Sequence, residues 1–503
     1  MKILWLGSWL TLAMFTCAQG QEQLATPAEA PAKVRDTDVL LEQALAPWTG
    51  DWPGIVERGY LRMVVPHNPL FVAYDGDKAI GLAVERAREL EKYFKETLNS
   101  SVEVIWIPAP RNDLLEFLKT GRGDVVDANL TVTQERAAEV AFTEPLRRDV
   151  REIAVTGLGV PQLNTLDDLV SLGLHLRRSS SYYQHLEAIN ATRRDQGQQP
   201  IPVIPVDEAL EDRDLLEMVH GGLIPASVVD DHKAQLWAQV FDNLTLHEDV
   251  FLHQGGELAW AVRREAPELK GVLDGFIPSI RKGSLLGNIF DKRYLQSADW
   301  VERIDSEESR ARLDEVRQIV DQYAPRYDFD GVMILAQIFQ ESRFDHSAQS
   351  SAGAVGLMQV RPSTAADPNV GIGDISAPED NVHAGVKYLH FVRERYFSHQ
   401  PIDDLDRVLF SLAAYNAGPA NIRKARQRAE AMALDPDVWF DHVEIATARA
   451  VSGEPVVYVR NIFKYAVALR LLQEAQAVNV QAEEEILEAI QGAPGDPGAA
   501  PQP

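Results

Sequence analysis

From Arg58 to Pro278, short apolar runs alternate with amphipathic stretches. Tyr60–Val65 (YLRMVV) and Val102–Ile107 (VEVIWI) predict strands, and Ile80–Thr97 between them predicts a helix with one apolar stripe. Strand, helix and strand at that spacing form a βαβ unit, which implies an α/β domain. Val125–Leu130 and Arg151–Thr156 add strands, and Asp113–Lys119 and Asp207–His220 add helices. The pattern then changes. Lys282–Leu295 is turn-rich and amphipathic, and a charged helical stretch follows it. Beyond it, apolar positions recur every three or four residues through Asp328–Phe344, Asn381–Arg395, Leu405–Tyr415 and Val456–Gln473. That half is mainly α, with a small sheet or loop lobe near residues 346–362.

Glu341 breaks one of these helical stripes. Asp330 is the expected cap of its helix, and Ile334, Ile338 and Glu341 are spaced by four and then three, so they share a face. A carboxyl continuing a buried stripe loses water, which raises its pKa and suits a general acid near neutral pH. Periodicity alone favours a boundary glutamate turned to solvent, as most helix-end glutamates are.

The first residues change the setting. Lys2, an apolar run from Ile3 to Phe15, and the small residues Ala18 and Gly20 predict an export signal over residues 1–20. Cys17 is the only cysteine, so no internal disulfide and no cysteine-based zinc site is expected. Two readings of Cys17 stay open: a lipidated anchor, or a residue removed by cleavage after Ala18 or Gly20. Glu22–Lys33 reads as a flexible tether, and Gln491–Pro503 as disordered.

The net charge of −26 argues against a nucleic-acid partner. The basic residues from Arg423 to Arg428 fit the solvated face of one helix. The 12 histidines form no His-Glu-x-x-His pattern, and neither a metal nor a cofactor is expected.

Glu341-Ser342-Arg343-Phe344-Asp345 is followed by SAQSSAGAVGLMQVRPSTA from Ser347, then Ala414–Gly418 (AYNAG) and Glu454–Val459 (EPVVYV). These three ordered motifs, within about 160 residues, resemble the signature of the transglycosylase family with a lysozyme-like fold. The resemblance implies Glu341 as catalytic acid, with Ser342, Met358, Gln359, Tyr415, Asn416 and Tyr458 binding substrate or bounding its cleft. It implies peptidoglycan as substrate, cut at the β-1,4 bond between N-acetylmuramic acid and N-acetylglucosamine. Glu341 would protonate the leaving oxygen, and the muramic 6-hydroxyl would close a 1,6-anhydro ring without water. A hydrolase of goose-lysozyme type, with Asp345 or another acid assisting water, remains an alternative, as does a binding protein with an inactive sugar cleft. Gly353 and Gly356 are expected to bring backbone close to sugar.

The segment Gly121–Leu146, together with Gly255–Val262, resembles the extracytoplasmic solute-binding family 3 of two-lobed receptors. By that resemblance Arg136 would grip a ligand carboxylate, Asp230 would pair with its ammonium, and Thr131, Thr133 and Ser180 (within Ser179–Ser181) would supply further donors or acceptors. Arg136 as an interlobe or surface salt bridge is the competing reading. Leu82 and Ala83 after Gly81, and Pro225 ahead of Asp230, depart from the family pattern.

The order of the two parts resembles the membrane-bound lytic transglycosylase F group. The expected layout is a signal (1–20), a linker (21–50), a receptor-like domain (51–280), a joint (281–312), a lysozyme-like domain (313–475) and a disordered tail (476–503). It implies a periplasmic enzyme, anchored or not to the outer membrane, and an amino acid or muropeptide ligand for the receptor domain.

Overall fold

The computed structural model describes residues 36–75, 78–304, 307–398 and 400–492. The export signal, Cys17 and the Glu22–Lys33 tether lie outside them. The α/β half contains β1 (Tyr60–Pro66), β2 (Ala73–Asp75), β3 (Lys78–Ile80), β4 (Glu103–Ala109), β5 (Val125–Thr131) and β6 (Ala141–Phe142). It continues with β7 (Arg147–Thr156), β8 (Leu174–Leu176), β9 (Val203–Pro205), β10 (Ala226–Asp230) and β11 (Thr245–Val262).

The main sheet runs β10-β7-β11-β5-β1-β4, with β6 beside β11. β1 pairs in parallel with β4 from Tyr60↔Glu103 to Pro66↔Ala109, so the chain between them must cross over. The helix Leu82–Thr97 makes that crossing, burying Leu82, Ala87, Leu90 and Phe94 against the sheet. The expected strand and helix are both present, but Ile80 ends β3 and the helix starts after Gly81.

β7 and β11 are long because they serve both lobes. One lobe is built on β1, β4, β5 and the C-terminal part of β11; the other on β8, β9, β10 and the N-terminal part of β11. The β7–β11 ladder shifts register four times between His247 and Leu258, and such bulges bend a strand pair.

Two expectations about the chain's ends are corrected. Within the expected linker, Asp36–Leu45 is a helix, because Leu40 and Ala44 find a buried place against the helices Gly331–Ser342, Asp404–Ala417 and Glu454–Gly492. The expected tail from residue 476 is helical as far as Gly492. Its sequence there holds no proline, and Ala482 packs against Leu210, Leu215, Met218, Val219 and Ile224 of the second lobe.

The second half is helical. Gly331–Ser342 is its central rod, packed on Glu454–Gly492, while Pro378–Tyr396 packs on Asp404–Ala417. Between Ser342 and Pro362 the only pairing among described residues is two isolated bridges, Gln349↔Val355 and Val355↔Val360, so the expected small lobe is a folded loop. No helix among the described residues is long and apolar enough to cross a membrane.

Candidate active site

Asp330 starts the central helix as expected, its Oδ1 accepting from Val332 N at 2.7 Å. The helix stops at Ser342 because Arg343 and Phe344 turn left-handed (φ 57° and 62°). Gln359 is left-handed too, at φ 47°. Non-glycine residues in this region are strained, and such strain gathers at working sites.

Ile334 and Ile338 are fully buried, and the stripe leads to Glu341, which keeps part of its surface exposed. Its carboxyl meets the phenol of Tyr458, which donates to Oε1 at 2.6 Å. Burial raises the Glu341 pKa to about 7; the Tyr458 hydrogen bond lowers it and the Glu454 charge raises it. A carboxyl poised there is protonated or ionised at small cost, as an acid that must become a base requires.

Tyr458 is itself fixed from behind. Gln337, fully buried one turn before Glu341, donates from Nε2 to the Tyr458 hydroxyl oxygen at 3.1 Å. With that oxygen accepting from Gln337, the phenol proton is left to point at Glu341. Gln337 was not among the expected site residues, though its signal was present: it is a second polar break in the stripe that carries Glu341.

The loop after the helix is held by backbone contacts. Asn381, fully buried, accepts from Met358 N at 2.9 Å and donates to Val355 O at 2.8 Å. Gly356 lies under it: a Cβ there would fall 2.4 Å from Asn381 Nδ2, and φ is +77°. A Cβ on Gly353 would meet nothing within 4 Å, so that glycine is explained by its φ of +80° alone. Nothing in the sequence signals Asn381, since its partners are backbone atoms more than twenty positions away.

Tyr415 donates to Met358 O at 2.8 Å and packs on Tyr388 with ring centres 5.3 Å apart. Burial raises its pKa well above the ordinary value, and the Glu341 charge adds to this, placing it at the same site. Met358 is buried, and its Sδ would lie 2.5 Å from a Cβ on Gly385, so its side chain is core and its carbonyl serves the loop. Gln359 Nε2 donates to Ala348 O at 3.0 Å and to Gly356 O at 2.9 Å, bracing the loop from within. Ser342 Oγ donates to Ile338 O at 3.3 Å, the ordinary bond of a helix-end serine. Asn416 is half-buried at the end of its helix, beside Tyr415.

Asp345 is exposed, and its Oδ1 accepts from Ser347 N at 2.8 Å and Ser347 Oγ at 2.6 Å. It organises the next turn. The acid whose charge bears on Glu341 is instead Glu454, on the helix that carries Tyr458.

In the α/β half, Arg136 donates to Thr131 O and Ser179 O, each at 3.0 Å, joining the two lobes through backbone carbonyls. Thr133 caps the helix Gln134–Glu139, and Ser180 caps Ser181–Asp195, accepting from Tyr183 N at 3.2 Å. Thr131 Oγ1 lies 3.2 Å from Ser181 Oγ. Asp230 Oδ2 meets Lys233 Nζ at 2.8 Å. Arg111 and Asn68 cross from the first lobe to Glu211 at 3.0 and 3.2 Å. Lys233 and Arg111 were not among the expected residues.

Comparison with known proteins agrees with this division. Residues 318–437 match the transglycosylase SLT domain, and residues 61–296 match bacterial extracellular solute-binding proteins, family 3. A membrane-bound lytic murein transglycosylase F of Desulfosudis oleivorans is 32% identical over 366 residues, covering 71% of this chain and 76% of the relative. One from Maricaulis maris is 29% identical over 467 residues, covering 87% and 93%. Among solved structures, an ancestral arginine-binding protein bound to arginine aligns with 47% of this chain and 99% of its own, at 21% identity and a TM-score of 0.39. With a solute-binding segment followed by an SLT segment, and relatives matched across both, the chain belongs to the membrane-bound lytic murein transglycosylase F family.

Proposed function

We propose that this enzyme cleaves the β-1,4 bond between N-acetylmuramic acid and N-acetylglucosamine, with Glu341 as its only proton carrier. The neutral carboxyl gives its proton to the bridging oxygen as the bond from muramic C1 breaks. The substrate's own N-acetyl oxygen covers the positive charge at C1. The muramic 6-hydroxyl then attacks C1 and returns a proton to Glu341, leaving a 1,6-anhydro end and consuming no water. Tyr458 holds the carboxyl in place through both steps, and Tyr415 and Asn416 bound the saccharide. The observation that carries this reading is a half-buried carboxyl with a pKa of about 7, fixed by a buried phenol.

Water-consuming cleavage would need a second carboxylate. Asp345 is engaged by Ser347, which leaves the exposed Glu454 as the acid to consider. Digestion of purified sacculi followed by mass spectrometry decides between the two. Anhydro ends support the proposal; ends heavier by one water refute it.

The enzyme works in the periplasm; anchoring to the outer membrane would run through Cys17 of its leader. Residues 51–280 serve as a ligand-responsive domain and 313–475 as the catalytic one. Supporting a link between them, the helix Glu454–Gly492 carries Tyr458 and also meets both lobes. Arg460 donates to Gly59 O at 3.2 Å, Lys464 lies 3.7 Å from Glu91, and Ala482 joins the second-lobe cluster. A change in lobe closure would therefore press on the helix that holds Glu341's partner.

A further inference from the structure

Asp230, which by resemblance would take a ligand ammonium, is met instead by a lysine of its own chain. Lys233 Nζ lies 2.8 Å from Asp230 Oδ2 and 2.8 Å from Asp212 Oδ2, with the Tyr182 hydroxyl 3.3 Å away. Lys233, Asp230, Asp212 and Tyr182 are all buried, at 5%, 1%, 3% and 5% exposure. Two buried carboxylates demand a cation, because an uncompensated charge in a protein interior costs several kcal/mol. Arg177 serves Asp212 from its other side. Asp230 receives its cation from Lys233, three residues along the same chain.

Tethering decides the competition. Lys233 meets Asp230 without losing translational freedom, whereas a free amine pays the entropy of association. An entering amine would also have to displace Lys233 and leave a buried ammonium without its partners. Burial disfavours the Lys233 charge, yet Asp212 and Asp230 hold its pKa above the ordinary value, so the cation is retained. The groove around it is already closed by the chain: Arg136 spends its fork on Thr131 O and Ser179 O, and Arg111 reaches Glu211. Asp230 Oδ1 has no partner among the described residues, and a neutral N–H or O–H would satisfy it.

Resting on the reading of this domain as a ligand cleft, and on nothing in the transglycosylase chemistry, we propose that Lys233 is a built-in ammonium that occupies the Asp230–Asp212 subsite and makes the cleft refuse free α-amino acids. Lys233 is thereby the residue that sets the specificity of this domain.

The test uses the full-length protein, with thermal unfolding and calorimetric titration against free L- and D-arginine, glutamine and alanine, and against ethylammonium. Wild type is expected to show no saturable shift with any of them. Saturable stabilisation by one free amino acid overturns the proposal. Lys233→Ala opens the subsite along the whole lysine stem; it should unfold at lower temperature and recover with ethylammonium, which binds it at least about tenfold more tightly than wild type. A folded Lys233→Ala protein indifferent to ethylammonium also overturns the proposal. Lys233→Arg keeps a cation in place and should fold and ignore amino acids, so wild type and this variant decide the question if Lys233→Ala does not fold. Sacculus digestion run in parallel reports on the catalytic reading separately.

Discussion

Tyr458 donates its hydroxyl to Glu341 Oε1 at 2.6 Å, although 117 positions separate the two residues in the chain. The contact unites two opposing effects on one carboxyl. Desolvation favours the neutral acid, and the phenol favours the ionised base. A group that must donate a proton and then take one back needs both.

Tyr458→Phe removes only the lowering influence. The Glu341 pKa should rise above about 7, moving the alkaline limb of the pH–kcat/KM profile upward by about one unit. An unmoved limb would mean that the phenol does not set the carboxyl's protonation.

Glu341→Gln should lower cleavage by about a thousandfold or more, since no transferable proton remains. It should also change stability with a definite sign. The folded pKa of about 7 lies above the ordinary 4.5, so Glu341's contribution to stability is present below 4.5 and lost as pH rises through 7. The variant should therefore gain on wild type across that window, by up to about 3 kcal/mol, read from denaturant midpoints at several pH values.

Gly356→Ala places a methyl against Asn381 in a backbone conformation that disfavours side chains. Loss of about 2 kcal/mol in stability and a larger loss in kcat/KM are expected, because the displaced loop carries the Met358 carbonyl that holds Tyr415. Asn381→Leu should reproduce both losses through the same loop. If either variant keeps full activity, the loop does not position the cleft.

Arg460→Met leaves Glu444, only 3% exposed, without its cation, at a cost of about 3 kcal/mol. It also removes the bond to Gly59 O and so loosens the catalytic helix from the first lobe. Hydrogen exchange should show faster opening around Tyr458, while a variant at the exposed Glu454 should leave that region unchanged.

The strands and helices of the α/β half were legible because β1 and β4 are largely apolar buried runs, β5 opens on Val125 and Val126, and the helix after Gly81 has one apolar face. The true length of β11 was hidden, since residues 245–254 mix polar and apolar positions in a bulged ladder that no alternation describes. The helical tail beyond residue 475 was obscured by its polar composition; its few apolar residues gain a meaning only where Ala482 meets the second lobe.

Glu341, its cap Asp330, and the three ordered motifs were determined by the sequence itself, because helical periodicity and local spacing are written in consecutive residues. Folding alone decided how those residues divide the work. Met358, Gln359 and Ser342 turn inward to the loop and helix that carry them, while Gln337 and Asn381 enter the site as supports. Likewise Asp230 is met by Lys233. Each of these assignments is a hydrogen bond or ion pair selected by distance in space, and a pattern of residue types along the chain does not encode which neighbour will be nearest.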